Sequence, residues 1–236
     1  MEFKELLAAS LEKETIFASE QQLSQADLFT KDMLVTNQTL NLTAITDPAE
    51  MVQKHWLDSL AVGRISFEKG ERVLDVGSGA GFPGVPLCIF FPEACFTLLD
   101  SLQKRLNFIA SATEKAGIST PVLLHARAEE AGRNKAYRER FDTVISRAVA
   151  NLTTLCEYCL PFVKVGGRMV AYKGPGADEE LSGAAGAIAK LGAEVERVER
   201  FALPSGEERN LIFLRKTSPC APCYPRNSKA IKNKPL

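Results

Sequence analysis

Apolar positions recur at three- and four-residue spacing over the front of the chain and in short β-branched runs after it. This pattern divides the sequence into a helical start and a body in which strands and helices alternate. Between Glu2 and about Glu14, the residues Phe3, Leu6, Leu7 and Leu11 share one helical face. Ser19 caps a second helix whose apolar stripe is Leu23, Ala26, Phe29, Met33 and Leu34. The polar and β-branched stretch from Asn37 to Thr46 (NQTLNLTAIT) predicts a loop. Asp47 to Glu50 (DPAE) then supplies a cap, a first-turn proline and a return acid, opening a third helix that carries His55, Trp56, Asp58 and Ser59.

From Glu71 onward the period changes. Predicted strands are Arg72 to Val76, Ala94 to Asp100, Pro121 to His125, Phe141 to Ser146, Gly167 to Tyr172, Ala193 to Leu203 and Asn210 to Lys216. Helices are predicted over Leu102 to Ala116 (stopped by Gly117), Val149 to Val163 and Asp178 to Leu191 (stopped by Gly192). This order predicts an α/β fold: a doubly wound, mostly parallel, seven-stranded Rossmann-like sheet with an antiparallel strand at the end and an N-terminal helical extension. The expected divisions are a helical segment over residues 1–68, a ligand-binding domain over 69–216 and a basic tail over 217–236.

The chemistry gathers where Val73 to Gly84 (VLDVGSGAGFPG) leaves the first strand. Gly77, Gly79 and Gly81 free the backbone to take positive φ and to approach a ligand closely. Asp75 sits just before the turn, where a carboxylate is expected to face a positively charged ligand. Asp100 ends the second strand about twenty residues on, the position that usually meets ribose hydroxyls. Two cofactors match these features. Gly79, Gly81 and Gly84 also fit the GxGxxG dinucleotide fingerprint, provided the strand runs further. The register favours S-adenosylmethionine over NAD, because Asp75 suits an ammonium and a sulfonium and would repel a pyrophosphate. Ligands of such sheets bind outside the carboxyl ends of the strands. Asp75, Gly77, Asp100, Glu129 and Arg147 all fall at those ends, so they are expected to converge on one cleft.

Composition changes the picture in three places. The formal net charge is zero over 236 residues, so the whole chain gives no polyelectrolyte signal for nucleic acid. Yet Arg215, Lys216, Arg226, Lys229, Lys232 and Lys234 follow one another at the end without an acid among them. Such a block reads as a phosphate-binding tail or as a solvated disordered one. Two CxxC pairs, Cys156/Cys159 and Cys220/Cys223, lie too far apart for a zinc ribbon, and no metal is expected. Cys156 and Cys159 share one face of a predicted helix, as small apolar residues do. No apolar run reaches bilayer length and none of signal-peptide type opens the chain, so a cytoplasmic protein without a membrane partner is expected.

Several motifs in order carry a resemblance. The chain is similar to the RsmG (GidB) family of bacterial 16S ribosomal RNA guanine-N7 methyltransferases in LNLTAIT at Leu40 to Thr46, HWLDSL at His55 to Leu60 and LDVGSGAGFPGVPL at Leu74 to Leu87. The likeness continues in LLDSLQKR at Leu98 to Arg105, ISRAVA at Ile145 to Ala150 and YPRNSKAIKNKPL at the end. The resemblance implies a class I S-adenosylmethionine-dependent methyltransferase acting on 16S rRNA or the small ribosomal subunit, and a monomer is expected. It also implies donor contacts at Gly77, Phe82, Ala128, Glu129 and Arg147, with Asp100 matching the acid after the second strand. Leu40 stands where members commonly have an aromatic residue. Methylation at guanine N7 removes no proton, so no general base is expected. Arg147 is expected to contact O6, phosphate or the donor rather than N7 itself. His55 and Asp58 are expected to pin the front helix to the glycine turn, and Trp56 to be core.

Overall fold

The computed structural model describes residues 2–236. The front of the chain is helical: α1 (Phe3–Lys13), α2 (Glu20–Leu40) and α3 (Pro48–Met51), which widens into a π-helical turn over Val52–Leu57. Ser19 caps α2 as its sequence predicts, its hydroxyl accepting the Gln22 N–H. The expected loop from Asn37 begins later, at Asn41. Asn37 stays helical because its side-chain amide clamps Thr43, accepting the Thr43 N–H and donating to the Thr43 carbonyl, each at 2.9 Å. Asn41 then ends the helix in the left-handed region at φ 48°.

The body supplies β1 (Arg72–Val76), α4 (Gly84–Phe90), β2 (Cys95–Asp100), α5 (Gln103–Lys115), β3 (Val122–His125) and β4 (Phe141–Arg147). A short helix not foreseen in the sequence, α6 (Ala128–Ala131), lies between β3 and β4. After it come α7 (Leu152–Cys159), β5 (Val163–Lys173), α8 (Ala177–Lys190), β6 (Ala193–Ala202) and β7 (Glu208–Lys216). The helix expected from Val149 starts three residues later. Ala148 takes φ 58°, and the Asn151 side chain caps the first turn by accepting the Thr154 N–H.

Among the described residues the seven strands form one sheet in the order β3-β2-β1-β4-β5-β7-β6. β1 pairs in parallel with both β2 and β4, while β7 runs antiparallel to its two neighbours. The order reverses at β1, so the switch point opens between the carboxyl ends of β1 and β4. Side chains alternate across β1. Leu74 and Val76 join the core under α7 and α8, and Val73 joins the core shared with the front helices. In that second core Trp56, fully buried, donates its indole N–H to Thr30 Oγ1 at 3.1 Å and packs edge-on against Phe29 and Phe82. Trp56 is core, as expected, and it fastens the front helices to the ring that closes the glycine turn.

The basic tail is packed. Arg138 donates to the carbonyls of Cys220 and Tyr224, and Arg133 to that of Pro225. Arg226 grips the carboxylate of Glu157, a fully buried α7 residue, through its backbone N–H (2.8 Å), Nε (2.9 Å) and Nη2 (2.7 Å). The chain then forms α9 (Ser228–Asn233), which buries Ile231 and leaves Lys229, Lys232 and Lys234 exposed. Cys156 and Cys159 are buried in α7, and burial pushes the Cys156 thiol up to about 12. Cys220 is buried and Cys223 exposed. Among the described residues no group of three or more histidines, cysteines or carboxylates is placed to hold a metal. No helix of the described residues is long and apolar enough to cross a membrane.

Candidate functional site

A cavity of about 560 Å³ opens at the switch point. Its wall brings together Gly77, Gly79 and Phe82 of the turn after β1, Asp100 of β2, Ala128 and Glu129 of α6 and Arg147 of β4. The turn can line it only as glycine. Gly77 sits at φ +81°, and a Cβ there would stand 2.4 Å from Val149 Cγ2 on the facing wall.

The acids behave differently from one another. Asp100, nearly buried, accepts the Gly79 N–H on Oδ2 (2.9 Å) and the Leu102 N–H on Oδ1 (2.8 Å), which locks the turn against the end of β2. Glu129 is 8% exposed, lines the cavity and takes no hydrogen bond from the described residues. A carboxylate so placed suits a ligand that presents N–H or O–H donors or a positive charge.

Asp75 and Gly81 do not line the cavity, and this corrects the expectation that Asp75 meets the ligand directly. Asp75 alternates with Leu74 and Val76 and therefore points to the α4 face. There it is fully buried and its Oδ2 accepts the Gly84 N–H at 3.1 Å. A Cβ on Gly81 would meet Val85 and Phe29, so this glycine seats the turn on the front helices behind the wall. Burial raises the Asp75 carboxyl to about 7, and its Oδ1 has no partner.

The folded chain thus keeps the Asp75 proton up to near neutrality, whereas the unfolded chain releases it near the ordinary carboxylate value, and stability falls as pH rises between the two. From about pH 5.5 to about pH 8.5 this group is expected to cost the wild type about 2 kcal/mol. Asp75→Asn keeps an oxygen for the Gly84 N–H and has no proton to release, so the difference between variant and wild type should shift by that amount in the variant's favour. Urea unfolding at both pH values measures it, and a difference that stays constant would mean that Asp75 is ionised throughout.

Arg147, at the end of β4, is held by Asp58 and the front helices. Its Nη1 donates to Asp58 Oδ2 (2.9 Å) and to the Lys54 carbonyl (3.2 Å), while Asp58 Oδ1 accepts from Arg209 Nε at 3.1 Å. Its Nε and Nη2 donate to no acceptor among the described residues. His55 stacks on Phe82 with ring centroids 4.6 Å apart and bonds Thr43 Oγ1 at 2.8 Å. Burial and the charge of Arg147 lower the His55 pKa to about 4, so it is neutral near physiological pH. Pinning of the front helix to the glycine turn is therefore real, and it runs through the stack on Phe82 and the pairing of Asp58 with Arg147.

The cavity also takes residues that the sequence reading did not place there. Ser228 and Lys232 of α9 and Tyr158 of α7 complete its wall. The signal available for α9 was the terminal motif YPRNSKAIKNKPL.

A doubly wound sheet in this order, with a glycine turn and an acid at adjacent carboxyl ends, defines the class I methyltransferase fold. Consistent with it, the chain superposes on the precorrin-6y C5,15-methyltransferase of Geobacter metallireducens GS-15 with a TM-score of 0.52 at 16% identity, covering 68% of this chain and 87% of that one. The family model described as rRNA small subunit methyltransferase G (GidB) matches residues 22–212. Ribosomal RNA small subunit methyltransferase G of Lactobacillus delbrueckii subsp. bulgaricus is 44% identical over 236 residues, 98% of this chain and 99% of the relative. The Moorella thermoacetica protein of the same name is 42% identical over 239 residues, the whole of both chains. The chain belongs to the rRNA small subunit methyltransferase G family.

Proposed function

We propose that this enzyme transfers the methyl group of S-adenosylmethionine to N7 of one guanine in 16S ribosomal RNA, as a cytoplasmic monomer. The observation that carries the choice of donor is the pair of carboxylates on the cavity wall, Asp100 and the unpaired Glu129. Glu129 repels a phosphate brought against it and accommodates hydroxyls, an amine or a sulfonium, while Asp100 shares its charge with Arg105 at 3.4 Å. When bound, S-adenosylmethionine supplies an electrophilic methyl carbon on a positively charged sulfur.

The chain's own residues hold and orient. The turn from Gly77 to Phe82 brings backbone close to the ligand. Glu129 accepts donors, and Asp100, whose Oδ2 already takes the Gly79 N–H and Arg105 Nη1, retains a second lone pair on Oδ1 for a ribose hydroxyl. Arg147 keeps Nε and Nη2 free at the edge of the cavity. The lone pair of N7 is available at neutral pH and no proton leaves in the transfer, so positioning can carry the rate effect, up to roughly 7–11 kcal/mol in favourable cases. Neutral His55 fits that scheme as a packing group against Phe82.

The test is incorporation of labelled methyl into unmodified 16S RNA and small subunits, followed by chemical cleavage at 7-methylguanine. A single cleavage site is expected, and incorporation without cleavage would place the methyl elsewhere. In thermal-shift titration S-adenosylhomocysteine should stabilise the protein and NAD should not.

A further inference from the structure

Beside the donor cavity lies a second one of about 660 Å³, and the two share His55, Arg147, Ala148 and Val149 in a common wall. Its remaining wall includes apolar Ile45 and polar Lys54, Asp58, Tyr172, Lys173, Glu180 and Arg209. Most of these charges are already committed. Asp58 serves two arginines, one on each oxygen. Lys54 sits between Glu50 (3.0 Å) and Glu207 (3.1 Å). The Tyr172 hydroxyl donates to the Ser59 carbonyl at 2.8 Å.

One pair is not used up. Lys173 Nζ lies 2.7 Å from Glu180 Oε2 and donates to the Ala150 carbonyl at 2.7 Å, leaving one ammonium N–H. Glu180 Oε2 also accepts the Leu152 N–H at 2.6 Å, while Oε1 takes no hydrogen bond from the described residues. A cationic donor and an anionic acceptor thus stand side by side on the wall away from the donor cavity. On guanine, the O6 acceptor stands beside the N1–H and N2–H donors in the same alternation. Adenine presents the reverse order, an amine at position 6 and a bare N1 that a carboxylate repels.

We propose that the second cavity receives the flipped-out guanine acceptor, with Lys173 on O6 and Glu180 on the N1–H and N2–H edge, so that N7 faces the shared wall. This rests on the reading of the enzyme as a guanine-N7 methyltransferase. Glu180 and Lys173 are specificity residues, and neither lines the donor cavity.

The experiment compares small-subunit RNA carrying guanine at the methylated position with RNA carrying inosine there, which keeps O6 and N1–H and lacks the N2 amine. The wild type should prefer guanine by about 10- to 100-fold, the worth of a hydrogen bond to a charged group. Glu180→Gln retains an oxygen for the Leu152 cap, and should lose about 10- to 100-fold on guanine while the guanine-to-inosine ratio shrinks to about threefold or less. Lys173→Met should slow both substrates together and preserve the ratio. Affinity for S-adenosylhomocysteine should stay within about twofold in both variants, which also reports an intact fold. Equal losses on both substrates in Glu180→Gln, or a fall in donor affinity that matches the rate loss, would overturn the assignment alone. A wild type that leaves no 7-methylguanine cleavage site would overturn the underlying reading and this assignment with it.

Discussion

Replacing Arg147 by alanine is expected to slow methyl transfer about 100-fold or more, because the guanidinium fixes the wall between the two cavities and misplacing reacting groups by an ångström costs about that much. The side chain is 13% exposed and bonds Asp58 and the Lys54 carbonyl together. Its guanidinium carbon stands 5.7 Å from the centre of the Phe82 ring, which His55 covers by stacking. Removing it therefore loosens the turn that carries Phe82 and leaves the buried Asp58 carboxylate to Arg209 alone. Arg147→Lys keeps the charge and one partner but not the forked geometry, and should fall between alanine and the wild type. Single-turnover methylation with saturating RNA, together with calorimetric titration of S-adenosylhomocysteine, separates rate from donor binding. An alanine variant with wild-type turnover would remove Arg147 from the site.

The residues of that network also mark the limit of what a linear reading reaches. The strand, turn and helix of VLDVGSGAGFPG are local: β-branched residues, glycines at alternate positions and a proline state the geometry within a dozen residues, and β1 has the bounds expected of it. Asp100, Glu129 and the end of β4 were legible because strand ends in a doubly wound sheet share one edge. Asp58 with Arg147, and Asp58 with Arg209, are separated by 89 and 151 positions and have no signature of their own.

The error over Asp75 has a different source. The residue is placed correctly at the end of β1, yet its side chain follows the alternation of the strand rather than the direction of the turn, and it serves the Gly84 N–H behind the wall. Asn37 and Asn151 misled in the same local way. Each is a polar residue with a loop-forming side chain, and the partner chosen, Thr43 for one and the Thr154 N–H for the other, decided on which side of the helix end it fell.

The tail gives the second large effect. Composition alone gave the end of the chain two readings, phosphate binding or solvated disorder, and neither anticipated its packing, because the acid that anchors it is 69 positions away in α7. Glu157 is buried to 1% exposure and all its partners come from Arg226. Arg226→Ala would leave that carboxylate buried with only a backbone N–H, and breaking a buried pair from one side costs about 3–5 kcal/mol.

The protein has a way to avoid most of that cost, since releasing residues beyond Cys220 lets water reach Glu157. The variant should therefore lose the docking of α9 rather than the whole fold. Because Ser228 and Lys232 line the switch-point cavity proposed to hold the donor, its affinity for S-adenosylhomocysteine should fall at least about tenfold, and limited proteolysis should clip the terminal segment first. Glu157→Gln removes the buried charge together with its need for a counterion, so the double variant should be little worse than Arg226→Ala alone, with a coupling of about 2 kcal/mol or more in a double-mutant cycle. Additive effects in that cycle, or a tail that resists protease in Arg226→Ala, would show that α9 is held by Ile231 and its apolar contacts instead.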